Sequence, residues 1–196
     1  VAGNPLLILP RIISVAGFGR TFAMLGELKK SFAGGNVTMA KRTFYSALPI
    51  RWGEAAVKYS FVPRETPDGD PSAASDDNHM ATDLASRLAR GAMTYDLCVQ
   101  PFVDETSTPI EDPTRVWDES VSPWVTVATL TIAKQDARSS EGEKLAKYVE
   151  TLSFDPWHAP EEFRPLGAMM RARAKAYKHS SIERKSAPEP DGTETW

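Results

Sequence analysis

Apolar residues recur along this chain with two different periods, and the switches between them mark out its elements. Residues 5–32 carry two apolar clusters at helical spacing, Leu6, Leu7, Leu9, Ile12 and Ile13, then Phe18, Phe22, Leu25 and Leu28. Gly17 and Gly19 part them and read as a helix break. Residues 43–63 are strand material interrupted by a turn. The run from Ala55 to Val62 is rich in β-branched and aromatic residues and stops at Pro63. Residues 64–79 collect Pro, Asp, Gly and Ser and predict a loop. Met80, Leu84 and Leu88 stand four apart, which predicts a short amphipathic helix over 80–90, ended by Gly91. Tyr95 to Val103 predicts a second strand, with Pro101 pointing to an edge or a bulge. An acidic loop with several prolines, residues 104–123, carries Trp117. Trp124 to Ile132 alternates cleanly and predicts a further strand. A helix is expected over 139–151, leading to Phe154, and the longest one over 165–184, with Pro165 suited to its first turn. From Ser186 the chain is rich in Pro, Glu and Ser and predicts a disordered tail. No unit repeats, and the spacing is not that of βαβ units. The fold expected is α+β with an antiparallel sheet, organised as an apolar helical segment over 1–36, a main domain over 37–185 and a tail over 186–196.

Composition narrows the function classes. The chain has 196 residues, 41% of them hydrophobic and 25% charged, the balance of an ordinary globular protein. A net charge of -3 and a pI of about 5.7 exclude a binder driven by phosphate neutralisation, so no nucleic-acid partner is expected. The single cysteine, Cys98, permits no internal disulfide and fits a reducing, cytoplasmic compartment. Its apolar neighbours make it a buried structural thiol. No uncharged apolar run reaches the roughly 18 residues of a membrane-spanning helix. Arg11, Arg20 and Glu27 interrupt the apolar opening, and no basic stretch precedes it, so a signal peptide is not expected. The chain opens on Val, which fits a processed or truncated start. A lone Asn36-Val-Thr sequon carries no weight. Gly17-Phe-Gly19 begins like a dinucleotide fingerprint, but Phe22 stands where the third glycine belongs and no strand precedes it, so no nucleotide site is read there.

Candidate chemistry concentrates in the last helix. Arg173 and Tyr177 are four apart and share a face one turn from each other. A guanidinium so placed donates towards the phenol oxygen and favours its anionic form, and only the anion is a good metal ligand at neutral pH. Met169 lies two turns earlier on a similar face, where it can pack on a flat apolar ligand. Arg184 lies seven residues later, placed to pair with a carboxylate. Arg and Tyr at this spacing occur on many solvated helices, so the spacing alone names no ligand chemistry. The histidines offer no alternative. His79 lies in a polar loop, His158 reads as part of a helix start, and His179 points elsewhere on the Tyr177 helix. There is no His-x-x-x-His pair, Gly-x-Ser-x-Gly elbow, P-loop or paired-cysteine zinc motif. Asp76-Asp77 and Glu161-Glu162 read as solvated loop charges.

Several stretches, in order, resemble the catalase superfamily over residues 40–185. They are Ala56-Val-Lys-Tyr-Ser-Phe61, Pro113-Thr-Arg-Val-Trp117 followed by Ser122 to Ile132, Val149 to Pro156, and the Arg-x-x-x-Tyr helix from Met169 to Tyr177. Phe44 to Pro49 and His158 to Gly167 are most similar to the small, divergent bacterial members. The resemblance implies a catalase-like antiparallel β-barrel with flanking helices, of which this chain supplies the later strands and a C-terminal proximal haem helix. Residues 37–185 would then be the C-terminal portion of such a haem domain. Tyr177 would be the axial ligand of a ferric haem b and Arg173 the stabiliser of its phenolate. Met169 and Ala176 would touch the haem face, Arg184 would bind a propionate, and Phe154 would form a pocket wall. The substrate implied is hydrogen peroxide or an organic hydroperoxide. Two departures stand out. The positions of the His and Asp that support the arginine in large catalases hold Ser60 and Gly167, and Ser181 replaces another His near the haem edge. In addition, no segment matches the family's distal His and Asn. The expectation is therefore a weakly active or inactive isolated chain, completed by a missing N-terminal half or a partner chain, with a homo-oligomer as a further possibility. The alternative is a non-catalytic haem-binding or lipid-binding barrel module.

Overall fold

The computed structural model describes residues 38–65 and 78–187, with scattered positions between Pro10 and Gly26. The expected N-terminal helices, most of the 64–79 loop and all but the start of the tail lie outside the described residues. Strands β1 (Phe44–Tyr45), β2 (Ile50–Trp52) and β3 (Ala55–Pro63) come first, followed by helix α1 (His79–Arg90). Next are β4 (Met93–Pro101), β5 (Val125–Ile132) and α2 (Ser140–Val149), and the last element is α3 (Ala168–Glu183). All pairings are antiparallel, in the order β1-β3-β4-β5, with β2 also on β3. This is mixed helix and antiparallel sheet, and the described strands form an open sheet that does not close into a barrel.

The period-two pattern sets the two faces of the sheet. Tyr59 pairs with Val99, Phe61 with Leu97 and Val57 with Pro101, so one face is apolar. The other carries Lys58, Ser60, Cys98 and Gln100. The loop over 102–124 covers this second face and is held by Trp117, which is 2% exposed. Its indole donates to the Pro109 carbonyl at 3.1 Å, Lys58 Nζ sits 4.7 Å above its ring, and Gln100 donates to the carbonyls of Trp117 and Ser122. Burial lowers the Lys58 ammonium below the ordinary lysine range. An acidic, proline-rich loop thus contains the largest fully buried side chain.

Helix α1 follows its sequence pattern, burying Leu88 and ending at Gly91. A polar cluster ties it to the segment before β1. Asp83 pairs with Arg87 at 2.9 Å and accepts from the buried Thr38 hydroxyl. Desolvation pushes the Asp83 carboxyl up, but hydrogen bonds from Arg87 and Thr38, with the charges of Arg87 and Arg90, outweigh it and hold the group below its usual value.

Two local expectations need correction. Pro101 does not mark an edge strand. It is the last residue of β4, which lies between β3 and β5, and the irregularity in this pairing falls at Leu97/Cys98. Pro165 is not in the first turn of the last helix. It bridges Ile50 beside β2, and α3 begins at Ala168 after Gly167, whose φ is 88°. The left-handed backbone at Gly167 is the physical stop between the two segments. Cys98 is a buried free thiol, as its neighbours predict.

Candidate functional site

Helix α3 is placed by a contact that spans the chain. The Glu111 carboxylate, from the loop that Trp117 anchors, accepts from the Ala168 amide at 2.7 Å and lies 3.5 Å from the Arg171 guanidinium. An acid on the first free amides of a helix offsets their missing partners and the positive end of the dipole. The chain passes close here. A β-carbon on Gly167 would lie 3.2 Å from the Ile110 carbonyl oxygen.

Along α3, Met170, Arg173, Tyr177 and Arg184 fall at steps of three, four and seven, and so share a side of the helix. Arg173 Nη2 donates to Tyr177 Oη at 2.7 Å, and the guanidinium carbon is 5.5 Å from the phenol ring centroid. Both side chains are half-buried. Tyr177 stands between two cavities and lines both. The first, ≈ 580 Å³, is walled by the apolar sheet face at Tyr59, Phe61 and Leu97, together with Met170 and Arg173. The second, ≈ 600 Å³, lies between the end of α2 and α3 and is lined by Leu152, Phe154, Trp157, Lys178 and Arg184.

Among the residues predicted from sequence, the second cavity gathers Tyr177, Phe154 and Arg184, while Arg173 reaches Tyr177 from the side of the first. Met169 and Ala176 are exposed and line neither cavity. Each lies roughly 80–100° around the helix from Tyr177, and it is Met170 that is buried on the Tyr177 side. The seven-residue step from Met170 to Tyr177 is a signal that could have found it. Trp157 carries no such signal, yet its Nε1 is buried in the wall of the second cavity with no hydrogen-bond partner. Ser60 is buried on β3 and Gly167 at the start of α3, so neither position expected to support Arg173 carries a charge. No histidine lines either cavity. Among the described residues no group of three or more His, Cys, Asp or Glu side chains could hold a metal ion, and no helix is long and apolar enough to cross a membrane.

The residues around the second cavity fit a haem. The donor is a single phenol oxygen, a hard ligand suited to ferric iron, held by a guanidinium. Phe154 and Trp157 flank the space, and the cations Lys178 and Arg184 line it together with the acids Glu150 and Asp155. The orphaned Trp157 N–H adds one hydrogen-bond donor in the same wall.

Open antiparallel sheet, covering loop and terminal Arg–Tyr helix together make a catalase-like fold. Three solved catalases carry this likeness. A fungal catalase superposes with a TM-score of 0.63 at 17% identity, over 77% of this chain and 32% of its own. A bacterial catalase gives 0.58 at 17% identity, over 82% and 37%. Catalase A from Saccharomyces cerevisiae gives 0.64 at 14% identity, over 79% and 34%. The chain thus spans about a third of the length of each, and at these identities the likeness is one of fold. No protein-family model matches the chain, and a comparison with curated proteins gives no match.

Proposed function

We propose that this chain is the proximal portion of a catalase-like haem protein that acts on hydrogen peroxide or organic hydroperoxides. The observation that carries this reading is the 2.7 Å bond from Arg173 to Tyr177, made beside the cavity that also holds Phe154 and Arg184, on a fold shared with catalases. Tyr177 holds the iron through its oxygen. Arg173 orients that oxygen through the hydrogen bond it donates and stands as a cation beside it. Arg184 and Lys178 bind the carboxylates of the macrocycle, with Trp157 as a further donor. Phe154 would form part of the wall of its pocket. When bound, haem supplies the redox chemistry of peroxide cleavage.

Proton transfer at peroxide needs a base on the far side of the haem, and none of the three histidines lines the Tyr177 cavities. In this reading a distal histidine is supplied by another stretch of polypeptide. Turnover by these 196 residues alone is weak. Residues 37–185 act as one haem-binding unit in this reading. The test is a haemin titration of the purified chain followed by absorption and resonance Raman spectroscopy. Native protein gives phenolate-to-iron charge-transfer bands, and Tyr177→Phe folds but loses them. An identical spectrum from Tyr177→Phe, or none from the native chain, rejects the assignment.

A further inference from the structure

The first cavity, on the Arg173 side of Tyr177, is an open cleft that carries a cation and, among the described residues, no anion. Trp52, Phe61, Leu97, Phe163, Pro165 and Met170 are among the apolar residues of its wall, and among the described residues no aspartate or glutamate lines it. Among the described residues Arg173 is the one charged side chain of that wall. It forms no ion pair, and of its five N–H donors the bond made is the one to Tyr177 Oη. A guanidinium drawn partly out of water costs free energy unless a counter-ion or a full set of acceptors replaces the solvent. One phenol oxygen is a partial replacement. Among the described residues Arg173 makes no hydrogen bond to the strands beneath, which face the cavity from β3 and β4 with Tyr59, Phe61 and Leu97. At ≈ 580 Å³ the space is within the range of small-molecule sites. An apolar wall with one unpaired cation selects a molecule with an apolar body and a single negative head.

We infer that this cavity binds an amphipathic monocarboxylate, with its carboxylate on the Arg173 guanidinium and its body along Trp52, Phe61, Leu97 and Phe163. The site is separate from the proposed haem cavity and shares only Tyr177 with it. It does not depend on haem being bound. A carboxylate held there draws on the same guanidinium that donates to Tyr177, so occupancy also weakens the hold on the phenol oxygen. Two sources share the chemistry, a long-chain fatty acid and an aromatic acid, and the length of the apolar body tells them apart.

The experiment titrates the full 196-residue chain with dodecanoate, methyl dodecanoate and 1-naphthoate, read by isothermal calorimetry. At least one acid binds saturably at one site, and the tighter acid identifies the source. The methyl ester binds about tenfold or more weaker than dodecanoate, as does dodecanoate to Arg173→Gln, the loss expected for a hydrogen bond to a charged group. Arg173→Lys retains part of the affinity. Ala159→Trp keeps the guanidinium but fills the space beside it, and it abolishes binding in a chain whose circular dichroism is native; it decides the matter if Arg173→Gln does not fold. Tyr177→Phe still binds the acid while losing the proposed haem ligand, so failure of the haem reading and failure of this one are separate results. The inference is overturned if neither acid saturates the native chain, if acid and ester bind alike, or if affinity survives in Arg173→Gln or in folded Ala159→Trp.

Discussion

The two sides of the sheet are built differently. On the β2 side the chain finishes its own edge. Arg51 and Gly53 donate their amides to the Arg164 and Glu162 carbonyls, Leu166 donates to Pro49, and Ile50 bridges Pro165. Behind this edge β3 and β4 bury Val57 and Val99 on the apolar face, and Ser60 and Gln100 on the face that the Trp117 loop covers. On the β5 side nothing comparable exists among the described residues. Every residue of β5 but Ile132 is exposed, α2 buries none of its residues, and no described strand pairs with the outer edge of β5. Its sequence, Val-Thr-Val-Ala-Thr-Leu-Thr-Ile, has no charge and no proline. Those are the usual devices that keep a free edge from pairing with another chain. One side of the molecule is a closed unit. The other, among the described residues, is an exposed strand with a bare edge.

The comparison can be broken most sharply on the finished side. Trp117→Ala removes the anchor of the covering loop and costs ~3–5 kcal/mol, the range for deleting a large buried aromatic side chain. Urea unfolding checks it, and a loss below ~1 kcal/mol would show that the loop holds without its indole. Gly167→Ala costs ~1–3 kcal/mol by the same measurement, because the residue sits at a φ of 88° with the Ile110 carbonyl oxygen 3.2 Å from the new carbon. The cost is expected together with a weaker haemin response, since this residue sets where α3 begins.

A smaller, pH-dependent effect tests the link between α1 and the segment before β1. The Asp83 carboxyl is held below its ordinary value, so its contribution is present above about pH 4 and is lost as the pH falls through the depressed folded value. Asp83→Asn is therefore less stable than the native chain by ~1–3 kcal/mol at pH 7, and the gap narrows in acid. A gap that stays constant down to pH 2 would remove the ion pair from the account. The smallest change in stability belongs to the unfinished side. Val127→Lys on β5 alters it by no more than ~0.5 kcal/mol, yet lowers the self-association of the chain with concentration, as seen by light scattering. If the native chain stays monodisperse throughout, the bare edge is protected by some other means.

What could be read without a structure follows one rule: it depends on residues close in sequence. The clean alternation of Trp124 to Ile132 predicts β5, the four-residue steps of Met80, Leu84 and Leu88 predict α1, and a four-residue step along a helix brings Arg173 to Tyr177. These are consequences of periods of 2 and 3.6, which any short stretch carries within itself. Tertiary structure decided the rest. That Trp117, in an acidic loop, is buried, that Glu111 caps a helix 57 residues away and that Pro165 serves β2 rather than α3 are all contacts between distant segments. The same holds for the partition around Tyr177, where Met170 faces inward, Met169 faces out, and Trp157 closes a wall. A local pattern fixes which side of an element is apolar, but only packing against a partner selects which residues on that side meet a cavity.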